Sequence, residues 1–540
     1  MTLEDVGVHP PVPDLDDSAP ATSDRERAPG VARTGSGRPH TAVAVAVGLT
    51  LAIGVVGRFV TVSPMWLDEA LTVNIARLPL GDLFEALRHD GAPPAYYLVL
   101  HAWMEVVGGG DVAVRALSGL FSVASLPLMW MAGRRLAGER PWVSWAAVLL
   151  LVSSPFAIRY ATEARMYSLV VFLVLAGFLA LDTLLHRPSA RAAAALGVVT
   201  GVLLLTHYWS FFLVAVVGVL LVGRWRHPDP AHRAGARRAL PAMAAGSLLF
   251  LPWLPSFLEQ MTDTGTPWGG PPRPRAAFEV VLQFAAGLPD TSLPLGLLLY
   301  ALLALGLFGA AAGAGRVTLD LRGRAPGRML AAVAGLTVVL AIVVGRIAGS
   351  AFAIRYAAVV LPLVLLLAAL GTATLAGSRA APAVLALAVV LGFITAIPHL
   401  AGDRTSAGRV AAALRAEARP GDVVAYCPDQ LGPAVNRLLE PRTGLVQLTF
   451  PRAGDPQFVD WVGYQAANRA AVPGEFARML LERAGPDRSV WVVWAPSYRT
   501  FGTKCQALLT ALREARPQER RVLSIPTTTF ERPGLVQFPA

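Results

Sequence analysis

Residues 65–74, MWLDEALTVN, set an adjacent Asp68–Glu69 pair beside Trp66, directly after the first long apolar run of the chain. Carboxylates next to lipid are costly unless water or a cation satisfies them. A partly desolvated carboxylate is a stronger base and can take a proton from a hydroxyl. The same two acids would equally suit the first turn of a helix, where the dipole favours them facing water. His89 and Asp90 come later in the same loop, ahead of GAPP. An imidazole beside a carboxylate can bind a metal, position a sugar or cap the turn before Pro93. The loop holds two short amphipathic stretches, 68–77 and 94–106, and Tyr96 lies in the second. Taken together these groups leave a divalent metal open. One histidine and three acids without fixed spacing do not specify one.

Cations face these acids from further along the chain. RYATEARMYSL, 159–169, carries Arg159, Glu163 and Arg165 with Tyr160 and Tyr167 between two apolar runs. An arginine at a membrane boundary can hold a phosphate through its bidentate fork. Glu163 either contacts acceptor or sugar, or pairs with Arg159 at i, i+4. Arg355–Tyr356 opens a late apolar run in AFAIRYAAVVLPL, and His207 lies in the tight turn THYW, 206–209. Arg165, Arg355, Tyr167, Tyr356 and His207 are therefore candidate phosphate ligands. Asp68 and Glu69 are the candidate catalytic acids. His89, Asp90, Tyr96 and Glu163 are candidates for the acceptor or the sugar. Interfacial anchoring is the competing role for both arginines.

The elements that must position these groups are membrane helices. The chain is 540 residues, 54% hydrophobic and only 15% charged, against about 25% charged in soluble domains. Eleven apolar runs are long enough, or nearly so, to cross a bilayer: 41–62, 112–132, 141–158, 167–185, 191–206, 209–223, 239–257, 292–314, 329–348, 355–376 and 381–399. With the N-terminus inside, the inner loops collect Arg134, Arg135, Arg140, Arg187, Arg224, Arg226, Arg233, Arg237, Arg238, Arg316, Arg322, Arg324, Arg328 and Arg379. This obeys the positive-inside rule. It also explains the net charge of +11 without a nucleic-acid partner. The outer segments, 63–111, 159–166, the turn 206–208, 258–291, the short turn 349–354 and everything after 400, then gather all of these polar stretches on one face.

The fold class expected is a polytopic α-helical membrane protein with about eleven transmembrane helices. A Pro-, Ser-, Asp- and Arg-rich tail, 1–40, reads as disordered and cytoplasmic. Residues 401–540 alternate helical stretches with the short apolar runs DVVAYC, LVQLTF, SVWVVWA and RVLSI. That alternation predicts an extracytoplasmic α/β domain with a partly parallel sheet. Cys427 and Cys505 lie within it. A bridge between them is geometrically allowed, but two separate buried thiols are the expectation.

The motifs, in order, resemble the GT-C superfamily of membrane glycosyltransferases. The likeness is greatest to its family 39-like branch, the protein O-mannosyltransferase-like and aminoarabinose-transferase-like enzymes. WLDEA, HDGAPPAYYLVLHAW, RALSGLFSV, YATEARMYSL, THYW and RYAAVVLPLV carry the resemblance, over residues 41–376. It implies sugar transfer from a polyprenyl-phosphate-sugar donor on the outer face of a bacterial cytoplasmic membrane. By direct displacement, the anomeric carbon would invert. Asp68 would be the base and Glu69 its neighbour, with an acceptor or metal role. Arg165 and Arg355 would be donor-phosphate ligands. The acceptor would be an envelope glycan, lipid or protein. Residues 401–540 do not match the outer domains of protein mannosyltransferases, so a protein acceptor is not implied. A lipid-linked sugar transporter or flippase, and a non-catalytic envelope-binding scaffold, are the competing readings.

Overall fold

The computed structural model describes residues 41–138, 141–264, 269–286, 293–312, 316–323, 325–350, 352–439, 444–496, 498, 500–526 and 529–540. The tail 1–40, Arg140, Arg324 and parts of the segments 258–291 and 349–354 lie outside these residues. The chain divides into two compact units, 1–46 and 47–540. Only the helical residues 41–46 of the first are described, and the second holds the rest of the chain.

Each of the eleven apolar runs coincides with helix. Among the described residues, six helices are long and apolar enough to cross a membrane, or seven if one bent pair counts as a span. The chain is a multi-pass membrane protein. The bent pair is Pro141–Val152 with Pro155–Ala161, at 54°. Its cause is local. Ser154 caps the second helix by accepting from the Ala157 N–H at 3.3 Å, and Pro155 occupies the first turn. Proline cannot donate back to the preceding turn, so the first helix stops. The carbonyls this frees are met by Arg58, which donates to Leu151 O at 2.8 Å and Val152 O at 2.9 Å.

The helix Arg355–Thr374 lies at the centre. Of its apolar window 89% is buried, against 50% or less for the other five candidate spans. Protein therefore surrounds it on nearly all sides, and its first turn is delivered to the interior. Close packing there needs glycine. A Cβ on Gly371 would sit 2.0 Å from Leu302 O, and one on Gly306 would sit 2.1 Å from Leu367 O. Small residues let helix backbones approach where lipid offers no hydrophobic drive.

Three helices fill the loop 63–111: Leu67–Ala76, Leu80–Asp90 and Ala95–Val107. The middle one is an addition to the two amphipathic stretches legible in the sequence. It ends on Gly91 in the left-handed region, φ 78°, which glycine adopts without strain. The segment 258–291 also differs from the expected loop. It contains the helix Ala276–Ala286, which buries Val280 and Phe284. Its apolar residues recur at helical spacing, in a stretch too short to stand out as a span.

Beyond Ala401 a five-stranded sheet forms in the order β4-β3-β5-β7-β6, separate from a small hairpin of β1 (Gly309–Ala311) and β2 (Val317–Leu319). Strands β3 (Val423–Cys427), β4 (Val446–Thr449) and β5 (Val490–Trp494) are parallel. β6 (Arg520–Leu523) and β7 (Gly534–Phe538) add antiparallel. The three parallel strands are linked through helices, as parallel pairing requires. β7 adds a fifth strand to the four apolar runs; its sequence GLVQF enters between β5 and β6.

The cysteines correct the expectation of two separate thiols. Cys427 at the end of β3 is bonded to Cys505 at the start of the helix Lys504–Ala515, with Cα atoms 5.6 Å apart. The 78-residue separation makes this cross-link worth about 4–5 kcal/mol by loop closure. Denatured, unreduced protein should therefore resist thiol alkylation and label at both cysteines after reduction. Full labelling without reductant would mean the bridge does not form.

Candidate active site

Asp68 and Glu69 sit in the first turn of the helix Leu67–Ala76. Consecutive residues on a helix point about 100° apart, so the two acids meet different surroundings. Asp68 is partly exposed and faces the arginines singled out in the sequence. Its Oδ2 lies 3.4 Å from Arg355 Nη2 and 3.9 Å from Arg165 Nη2. Arg165 is steadied by donating from Nη1 to Thr72 Oγ1 at 2.8 Å. Its Nε is buried with no hydrogen-bond partner among the described residues. The Arg355 guanidinium lies 5.8 Å from the Trp66 ring and 5.5 Å from the Tyr356 ring, within cation–π range. Two cations and one anion leave a net positive pocket.

Aromatic groups complete that pocket. The His207 ring is 5.2 Å from Tyr356 and 5.8 Å from Tyr167. Its Nδ1 accepts the Trp209 N–H at 3.1 Å, which leaves the proton on Nε2. Burial, then Arg165 and Arg355, push His207 down to about 3, so it is a neutral donor at physiological pH. The Tyr167 hydroxyl is buried without a partner among the described residues. Tyr96 acts from behind. Its hydroxyl pairs with Ser118 Oγ at 2.9 Å, and Ser118 donates to Arg165 O at 3.1 Å.

Glu69 is elsewhere. It is fully buried, and Arg115 clasps it through Nε at 2.7 Å and Nη2 at 2.8 Å. The Ala164 N–H donates to it at 3.0 Å, and Arg404 approaches to 3.7 Å. Both its oxygens accept hydrogen bonds, and the side chain is fully buried away from the pocket that Asp68 faces, so the structure gives the catalytic role considered for it no support. Glu163 joins the same knot, 3.3 Å from Arg159 Nε and 3.7 Å from Arg404 Nη1. It is fully buried and faces arginines, not an open sugar or acceptor site. Arg115 and Arg404 are not among the sequence candidates. Arg115 stands inside RALSGLFSV, and a charge opening an apolar run is the signal that could have found it. No local pattern marks Arg404.

His89 and Asp90 also part company. His89 Nδ1 lies 2.8 Å from Asp460 Oδ1 and latches the first loop to the C-terminal region. Asp90 accepts from the Tyr97 hydroxyl at 2.6 Å, and burial pushes its pKa up. The four groups that left a metal open thus go to separate partners. Among the described residues no cluster of three histidine, cysteine or acidic side chains could hold a metal ion.

Breaking one member of a buried ion cluster costs about 3–5 kcal/mol. Glu69→Ala should therefore lower the melting temperature and folded yield of the solubilised protein sharply. Asp68→Asn should change neither by much. A Glu69→Ala protein with wild-type thermal stability would refute the buried knot.

No protein-family model and no curated protein matches the chain. Solved structures do. ArnT from Cupriavidus metallidurans bound to undecaprenyl phosphate aligns with TM-score 0.57 at 15% identity, over 92% of this chain and 99% of that one. The same protein in the apo state aligns at 0.54 and 14% identity, over 92% and 98%. The S. cerevisiae protein O-mannosyltransferase Pmt1–Pmt2 complex bound to the sugar donor covers 50% of this chain and 38% of its own, at 14% identity and TM-score 0.31, too distant to carry an argument. What the chain shares with ArnT, over 92% of its own length, is its fold.

Proposed function

We propose that this protein is a glycosyltransferase that moves a sugar from a polyprenyl-phosphate-sugar donor to a cell-envelope acceptor. The observation that carries the reading is the convergence of Arg165 and Arg355 on Asp68, in a pocket with an idle buried Tyr167 hydroxyl and Arg165 Nε. The GT-C fold, and undecaprenyl phosphate bound to ArnT, support a lipid phosphate as the anion. Fold alone would not fix the chemistry.

The geometry accommodates a direct displacement. The donor is a phosphodiester with one negative charge. Asp68 takes the proton of an acceptor hydroxyl or amine as that atom bonds to the anomeric carbon. The bond from that carbon to the phosphate oxygen breaks, its electron pair goes to the oxygen, and polyprenyl phosphate leaves with a second negative charge. The configuration inverts. Arg165, Arg355, neutral His207 and Tyr167 gain most when that second charge develops, so they stabilise the transition state more than the bound donor. Arginines drawn onto phosphate also share their charge away from Asp68, leaving it to accept a proton.

In the same proposal residues 41–400 are the catalytic membrane domain, crossing eleven times from a cytoplasmic N-terminus. Residues 401–540 then lie on the outer face of a bacterial cytoplasmic membrane, with the site. The Cys427–Cys505 bond supports that face, because disulfides persist outside the cytosol. One observation favours transport instead: the bent pair at Ser153–Ser154 resembles the broken helices of transporters.

With synthetic polyprenyl-phosphate sugars and an envelope extract, the purified protein should transfer one sugar. Asp68→Asn should reduce turnover about 10²–10⁴-fold, with donor binding largely kept. Near-normal turnover would remove Asp68 from the mechanism. Donor translocation across vesicles without transfer would favour the transport reading. Arg165→Ala and Arg355→Ala should each weaken binding of the lipid phosphate roughly ten- to a hundredfold; unchanged affinity in both would place the phosphate elsewhere. A protease site inserted at the exposed Pro486–Asp487 turn should be cut on spheroplasts without permeabilisation. Cutting only after the membrane is opened would reverse the orientation.

A further inference from the structure

The loop leading into β7 ends beside the Asp68 helix. Its backbone is fully engaged. The Glu531 N–H donates to Arg404 O at 2.9 Å, the Ser406 N–H donates to Glu531 O at 3.2 Å, and Thr529 Oγ1 donates to Glu531 O at 3.0 Å. Its side chains are not. Glu531 is 3% exposed, yet neither carboxyl oxygen has a hydrogen-bond partner among the described residues. The carboxyl lies against Thr405 and the Leu67 N–H, and within reach of the Asp68 charge. Burial above all pushes it up to about 7. Burying a carboxyl costs the fold free energy, and the approach of Thr405 and the Leu67 N–H offsets only part of it, since burial still dominates.

The neighbours of Glu531 are aromatic. Phe530 is 64% exposed, and its ring meets Trp66 edge to face at 5.3 Å. The Trp66 Nε1–H is buried and likewise without a partner among the described residues. The Trp66 ring is the one beneath the Arg355 guanidinium. An idle carboxyl, an idle indole N–H and an exposed aromatic face thus gather one residue before the Asp68 helix begins. A sugar ring offers the matching chemistry: hydroxyls that donate to a carboxyl and accept from an indole, and C–H faces that pack on aromatic rings.

We propose that Glu531, Phe530 and Trp66 form a sugar-binding subsite that the C-terminal region contributes to the Asp68 site. The proposal rests on the glycosyltransferase reading. The ligand is a sugar ring with free hydroxyls, carried either by the lipid donor or by the acceptor. Glu531 holds the ring by its hydroxyls, and the two aromatics set the plane of approach. The C-terminal region is then part of the substrate site.

Binding to the full-length protein in nanodiscs tests this without relying on turnover. One arm compares undecaprenyl phosphate with undecaprenyl phosphate carrying mannose, glucose or arabinose. The other titrates the methyl glycosides of those sugars. In the wild type at least one sugar should tighten donor binding or bind as a glycoside. Glu531→Gln, nearly the same shape, should remove about tenfold of that affinity, and Phe530→Ala should remove part of it. Binding of undecaprenyl phosphate itself should stay at the wild-type level in both variants. An effect in the lipid arm assigns the subsite to the donor sugar, and an effect in the glycoside arm assigns it to the acceptor. Sugar affinity unchanged in both variants, or absent for every probe in the wild type, overturns the subsite. Wild-type protein that ignores undecaprenyl phosphate overturns the glycosyltransferase function instead, and the glycoside arm still judges the subsite.

Discussion

The buried ion knot around Glu69 governs where everything else in this site can be. Two fully buried carboxylates, Glu69 and Glu163, are held by Arg115, Arg159 and Arg404. These residues come from the first loop helix, the Asp111–Ala137 span, the Pro155–Ala161 helix with the bend that follows it, and the chain just beyond Ala401. Desolvating them is expensive, and their mutual attraction repays the cost only when all are present. Further donors fix the geometry. Arg115 also reaches Ser63 O at 2.9 Å, and Arg404 also reaches Thr162 Oγ1 at 2.6 Å. Glu69 and Arg115 are the most fully bonded pair in the knot, whereas Glu163 Oε2 and Arg404 Nε have no hydrogen-bond partner among the described residues. The pair therefore sets the rotation of the Leu67–Ala76 helix, and Asp68 is carried to the Arg165–Arg355 side by helical geometry alone.

The adjacent acids therefore divide the work. Glu69 is spent on position, and Asp68 is left with cations at 3.4 and 3.9 Å, longer than a tight ion pair. That looseness matters for chemistry. A carboxylate locked in a bidentate fork cannot take a proton, whereas one held at a distance by two arginines can yield them to a phosphate. Tyr96, through Ser118, holds the backbone of Arg165 from the far side, and Thr72 holds its guanidinium.

The helices are legible in the sequence because lipid imposes a simple rule on them. About twenty apolar residues are needed to cross, and each of the eleven runs read that way contains helix. The Arg165–Arg355–Asp68 grouping is legible for a related reason. Arginines on the outer side of apolar runs go against the positive-inside trend, so Arg165 and Arg355 stand out on the face that carries Asp68. Glu69 and Asp68 cannot be told apart by sequence, since their local contexts are identical and only contacts 46 and 95 residues away separate them. Arg404 and Glu531 carry no local signature at all. The disulfide is equally invisible, because it depends on β3 and the Lys504 helix meeting at one edge of a sheet.

These distant residues share a cause, which is the way the C-terminal region docks on the first loop. Asn74 donates to Gln457 O at 2.9 Å, the Trp461 N–H donates to His89 O at 3.1 Å, and Arg437 binds Asp111 at 2.7 Å. Phe530 packs on Trp66 from the same side. Each contact is a modest hydrogen bond or ring contact, worth roughly 0.5–1.5 kcal/mol alone. Spread over two loop helices and the start of a span, they act together as a cover on the loop that carries Asp68. A region that only hung from the last membrane helix would need none of them. Their distribution, like the reach of Arg404 into the knot, means that the first loop and the C-terminal sheet must fold against each other before the pocket between Asp68 and its arginines has its final shape.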